Sequence, residues 1–131
     1  MKNIIITGAK GNLGSAVVKL FLEKNYNVIA CISERSHELE IKNPNLESFS
    51  LDLTNSDACK VFSETIIKQY KTIDAAVLTV GGFAAGNIEV VSKTDFEKMF
   101  ALNFITAFNI VQPVFKQLKI QTKGGKIILI G

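Results

Sequence analysis

An α/β fold, a doubly wound parallel sheet held between helices in three layers, is predicted by three observations. Short apolar runs alternate with helical patterns along the whole chain. Those runs, such as "IIIT" at residues 4–7 and "IDAAVLTV" at 73–80, are nearly continuous, the pattern of strands buried on both faces. And 131 residues, 47% apolar and 21% charged, suit a single domain, 1–131, with one sizeable core.

Taken in order, Ile4–Thr7 is the first strand, ended by a glycine. Leu13, Val17, Leu20 and Phe21 then recur at helical spacing with Lys19, Glu23 and Lys24 opposite, which predicts a helix from Gly14 to about Asn25. Val28–Ile32 is the second strand, and the polar stretch "SERSHELEIKNPN" is a short helix or loop. Leu46–Leu51 is the third strand. Thr54 and Asp57 then form a capping-box signature for a helix running to about Tyr70. Ile73–Val80 is the fourth strand. Ser92 and Asp95 repeat the capping pattern before a long helix to about Lys119, in which Pro113 predicts a kink. Lys126–Ile130 is the fifth strand, and the strand order expected for the sheet is 3-2-1-4-5.

Composition narrows the function. The net charge is +3 with lysines scattered along the chain, which gives no basic stripe for nucleic acid. No apolar stretch is long enough to span a membrane, and the start lacks a signal-peptide core, so the expected setting is the cytoplasm. Cys31 and Cys59 have no metal or redox spacing and read as small buried hydrophobes, so no metal site is expected. His37 reads as a surface residue.

The chemistry-bearing feature is "TGAKGNLG", residues 7–14. Gly8, Gly11 and Gly14 lie between a strand and a helix, where bare backbone lets N–H groups, those of Leu13 and Gly14 among them, approach a phosphate at the positive helix end. An ordinary tight turn is the alternative use. No Gly-Lys-Ser/Thr follows, which excludes a P-loop. The loop therefore predicts a dinucleotide site. About 20 residues on, the place of the usual ribose-binding acid is held by Ser33, followed by Glu34 and Arg35. Arg35, helped by Lys10, suits a 2′-phosphate, which favours NADP(H) over NAD(H); Glu34 as a ribose ligand is the alternative.

These residues resemble the short-chain dehydrogenases/reductases, which have the Rossmann-like form of this fold. The resemblance implies that the loop residues Gly8, Lys10, Gly11, Asn12, Leu13 and Gly14 hold the cofactor, and that Asp52 and Leu53 lie against the adenine. Where the family shows Asn-Asn-Ala-Gly, this chain reads Thr79-Val80-Gly81-Gly82, losing the amides that brace the sheet but keeping glycines beside the nicotinamide ribose. Asn103 matches an asparagine that holds a water in the family's proton relay. The G-x-x-G-x-x-G spacing and "AAVLTVGGFAAGN" are locally similar to dihydropteridine reductase, in which Asn103 has no counterpart.

The family's reaction is hydride transfer to or from a small carbonyl, alcohol or pterin-like substrate, with a Tyr-x-x-x-Lys pair handling the proton. Four residues after Tyr26 and Tyr70 stand Ala30 and Asp74, so no such pair exists in the 131 residues. The chain reads as the front part of an NAD(P)(H)-dependent oxidoreductase, truncated before the pair and inactive by itself. A non-catalytic dinucleotide-binding regulatory or redox-sensing module is the alternative. The apolar fifth strand at a sheet edge, with Ile127, Ile128, Leu129 and Ile130 short of helical cover, together with the long helix predicts a homo-oligomer.

Overall fold

Ile4, Ile5 and Ile6 are completely buried at the centre of the sheet, and their alternation divides the core in two. The computed structural model describes all 131 residues. Ile4 and Ile6 join Val18, Leu22, Val28, Ala30 and Val77 on one face; Ile5 joins Ile29, Cys31, Ile66, Ile73, Ile110 and Val114 on the other. Successive residues of a strand face opposite layers, so an unbroken run fits only a sheet covered on both sides. Each such isoleucine contributes about 1.5–3 kcal/mol relative to exposure.

The elements are β1 (Asn3–Thr7), α1 (Asn12–Glu23), β2 (Asn27–Ile32), β3 (Leu46–Ser50), α2 (Ser56–Tyr70), β4 (Ala75–Leu78), α3 (Lys93–Phe100), a π-helical segment (Ala101–Ile105), α4 (Thr106–Ile120) and β5 (Lys126–Leu129). All strand pairs are parallel, and the sheet order is β3-β2-β1-β4-β5, as expected. The order reverses between β1, which leads to β2, and its other neighbour β4. The carboxyl ends of these two strands are therefore the place where a crevice opens.

Three local expectations change, and one alternative is settled. Leu13 and Leu20 are about half exposed, and the inward seam of α1 is instead Gly14, Val18 and Leu22. The polar stretch after β2, expected as a short helix or a loop, is a loop. The cap of α2 is Asn55, whose Oδ1 accepts from the Ala58 amide at 3.0 Å; Thr54 is turned to Asp52 and does not cap. The long helix is interrupted by the π segment, while α4 runs through Pro113. The Ser92–Asp95 capping box forms as predicted.

Both cysteines are buried, and burial pushes the Cys31 thiol far up and the Cys59 thiol to about 11. No metal-ligand cluster is present, and no helix is long and apolar enough to cross a membrane. β5 is an edge strand. Ile127 packs onto the α2–α4 side of the core, contrary to the expectation that it lacks cover, while Ile128, Leu129 and Ile130 are exposed. On the outer face of α3 and α4, Phe96, Phe100, Phe104 and Phe108 form an exposed ridge. Phe104 stacks on Phe100 at 5.0 Å and on Phe108 at 6.3 Å.

Candidate functional site

The turn after β1 is built so that Gly8 and Gly14 each meet a neighbour too close for a side chain. Gly8 has φ +63°, and a Cβ there would lie 2.6 Å from the Thr79 hydroxyl oxygen. A Cβ on Gly14 would fall onto the Gly8 carbonyl oxygen, well inside contact distance. Gly11 donates to that same oxygen at 2.9 Å, and the Ala9 amide ties the turn to the Cys31 carbonyl on β2 at 3.2 Å. Gly14 thus sets how closely α1 approaches the turn, which rotates Val18 and Leu22 toward the sheet.

The start of α1 differs from the starts of the other capped helices. Asn55 caps α2 and Ser92 caps α3, but Gly11 offers α1 no side chain and its first turn holds no acid. The first amides of a helix have no internal partner. Those of Asn12, Leu13 and Gly14 are therefore free for an anion, in the field of the helix dipole.

Beside this turn lies a groove of about 370 Å³ over the carboxyl ends of β1, β2, β3 and β4. Of the residues predicted from sequence, Gly8, Ser33, Arg35, Asp52, Leu53 and Val80 line it. Lys10, Gly11, Asn12 and Leu13 are exposed on the turn, with Gly14 buried beneath them. Thr79, Gly81, Gly82 and Asn103 are not part of the groove's lining. Sequence reading missed Leu102 and Thr106, which reach the groove from the π segment and the start of α4, and Asn109, whose amide donates to the Leu53 carbonyl at 2.9 Å. Helical periodicity alone does not mark which residues of a long helix face a site. A further groove of about 480 Å³ lies between α2 and α4, away from the strand ends.

At the far wall, Asp52 Oδ1 accepts from the Thr54 hydroxyl at 2.6 Å and the Thr54 amide at 2.9 Å. Those two bonds, with a smaller pull from the Arg35 charge, hold the Asp52 carboxyl below its ordinary range. It is therefore ionised at neutral pH, with Oδ2 left to accept from a ligand. Ser33 Oγ accepts from the Arg35 amide at 3.3 Å, shaping the turn that presents Arg35. The Arg35 guanidinium has no carboxylate partner, since the one ion pair in the structure joins Lys93 and Glu97.

Next to the groove but outside its lining, Asn103 Oδ1 accepts from the Gly82 amide at 2.9 Å, and its Nδ2 donates to the Gly82 and Met99 carbonyls at 3.0 Å each. The side chain acts here as a clamp between the π segment and the loop after β4. Gly81 and Gly82 are also crowded from the side of the π segment. A Cβ on Gly81 would lie 2.8 Å from Asn103 Oδ1, and one on Gly82 would strike Leu102. Their immediate neighbour is the helix. Nor is bracing lost with the family's amides, because Thr79 bonds to Thr7 across the sheet.

A family profile described as short chain dehydrogenase matches residues 2–131. The chain belongs to the short-chain dehydrogenase family. Among similar members of that family, dihydropteridine reductase of Dictyostelium discoideum is 31% identical over 135 residues, covering 99% of this chain and 53% of the relative. The solved short-chain dehydrogenase of Leptospira borgpetersenii, with bound NAD+, is 25% identical with a TM-score of 0.87, covering 96% of this chain and 49% of that one. The solved structure of ElxO with NADP bound has a TM-score of 0.84 at 24% identity, covering 96% of this chain and 53% of that one. The chain spans about half the length of the curated relatives it matches.

Proposed function

We propose that this short-chain dehydrogenase chain is the cofactor-holding part of an NAD(P)(H)-dependent oxidoreductase acting on a small carbonyl, alcohol or pterin-like substrate, and that it prefers NADP(H). The uncapped start of α1 beside the strand-end groove carries the reading. In it the pyrophosphate takes the free amides of residues 12–14, Asp52 and Leu53 border the adenine, and Arg35 with Lys10 meets the 2′-phosphate. Ser33 in place of an acid offers the 2′-phosphate no charge repulsion. The nicotinamide half extends along Val80, Gly81 and Gly82, whose course Asn103 fixes, and a relay water is held at Asn103. When bound, the cofactor supplies or accepts a hydride. A cytoplasmic setting suits this activity.

The 131 residues are expected to bind without turnover. The Tyr70 hydroxyl donates to Glu47 at 2.6 Å, and Tyr26 packs edge-on against Phe21. Both lie near the amino ends of strands, at the opposite end of the sheet from the groove, so neither can give a proton to a substrate held there. Fluorescence titration with NADPH and NADH, alongside assays with aldehydes, ketones and quinonoid pterins, tests this. Saturable NADPH binding with no substrate-dependent oxidation is expected. Failure to bind either cofactor while folded overturns the proposal, and sustained turnover overturns its inactive part.

The same reading has a second copy of the chain covering the Phe96–Phe108 ridge or the edge of β5, because exposed aromatic surface of this kind favours association. Sedimentation at micromolar concentration is expected to show a dimer or larger species, and Phe104→Glu to shift it toward monomer. A clean monomer for the unmodified chain would remove this part of the proposal.

A further inference from the structure

The sheet between β1 and β4 continues one residue past its backbone ladder. The last paired residues are Thr7 and Leu78. Beyond them the Thr79 amide donates to the Thr7 hydroxyl at 3.3 Å, and the Thr79 hydroxyl donates to the Thr7 carbonyl at 2.8 Å. Two reciprocal bonds and two β-branched side chains, each stiff at χ1, leave this pair little freedom. Thr7 is 2% exposed, so its carbonyl has no ready substitute in water.

The same Thr79 oxygen occupies the space that a side chain at Gly8 would need, with Val80 Cγ2 next to it. Gly8 in turn receives the Gly11 amide and packs against Gly14. A chain of direct contacts therefore runs from the end of β4, through one hydroxyl, to the turn that exposes the first amides of α1. Thr79 stands where the family has the first asparagine of Asn-Asn-Ala-Gly, and Val80, at the second position, has no polar side chain with which to share the task.

We propose that Thr7 and Thr79 form a positioning pair that seats the phosphate-binding turn, with two short hydroxyls in place of amides. The pair acts through Gly8 and does not itself touch the ligand. This rests on the dinucleotide reading given above. Removing the Thr79 hydroxyl leaves the Thr7 carbonyl without its donor and lets the Gly8 turn drift, which misaligns the amides of residues 12–14. The adenine end, held by Ser33, Arg35 and Asp52 just beyond the ends of β2 and β3, is untouched.

The experiment compares Thr79→Val, Thr79→Ala and Thr79→Ser with the unmodified chain, titrating NADPH and, separately, adenosine 2′-phosphate, which has no pyrophosphate. The Val and Ala variants are expected to lose NADPH affinity by about fivefold or more, while adenosine 2′-phosphate affinity stays within about twofold. The Ser variant, which keeps the hydroxyl, is expected to bind NADPH nearly as the unmodified chain does. Ala places no methyl group against Gly8 and remains informative should Val fail to fold. A folded Val or Ala variant with unchanged NADPH affinity overturns the assignment, as does parallel loss of both ligands or a Ser variant no better than Ala. An unmodified chain that binds no dinucleotide overturns the underlying reading together with the assignment; normal binding with indifferent variants overturns the assignment alone.

Discussion

Gly14→Ala is expected to lower folding stability by about 1–3 kcal/mol and to weaken dinucleotide binding by about 10–100-fold. The added Cβ would fall onto the Gly8 carbonyl, with the Gly8 carbonyl carbon and Ala9 Cα also within 3.0 Å, and all of these are backbone atoms. Relief therefore requires α1 to move away from the turn. That motion carries off the free amides and loosens Val18 and Leu22 from the sheet together. The three glycines should rank by what a Cβ meets. Gly8→Ala meets a side-chain hydroxyl, which can turn aside, but must also hold φ +63°, a left-handed conformation costing about 1–2 kcal/mol. Gly11→Ala should be mildest, because Gly11 has an extended backbone, φ −69° and ψ 168°, and its nearest neighbour would lie at 3.3 Å. Thermal melts and NADPH titrations of the three variants decide this. Unchanged melting and affinity in Gly14→Ala would mean that α1 is not seated as described.

Arg35→Ala is expected to weaken NADPH binding by about 5–30-fold while sparing NADH. A charge-assisted contact to phosphate contributes about 1.5–3 kcal/mol when ordered, and the exposure of Arg35 reduces this to about 1–2 kcal/mol. The guanidinium has no internal carboxylate partner, so binding a phosphate does not first break an ion pair. Its proximity to Asp52, felt as a minor lowering of that carboxyl, places it by the same groove as the adenine wall. The loss should shrink as salt is raised, because an exposed charge pair is screened. Isothermal titrations with both cofactors at two ionic strengths measure it. Equal losses for NADPH and NADH would refute the 2′-phosphate role. A preference of the unmodified chain for NADH would assign Glu34 to the ribose.

The strands, the buried cysteines and the glycine turn were legible in the sequence because each depends on a local rule, and the sheet order followed from the alternation of strands and helices. A continuous apolar run such as Ile4–Ile6 can be satisfied only between two layers, and three glycines between a strand and a helix imply crowded backbone whatever lies beyond. Asp52 and Arg35 were readable for the same reason, as residues at the ends of recognisable strands. The rest depended on partners remote in the chain. Thr79 bonds to Thr7 across 72 positions, and Asn103 clamps Gly82 across 21. The periodicity of α1 was compatible with several faces, and only the contact between Gly14 and Gly8 turned Val18 and Leu22 inward and left Leu13 and Leu20 exposed. Thr54 and Asn55 compete for one helix start, and the Asp52 carboxylate settled it by taking the threonine. By itself the sequence determined which strands form and where bare backbone meets an uncapped helix start. Only the tertiary structure decided which side chains hold that site in shape, because packing and hydrogen bonding join residues that no local pattern relates.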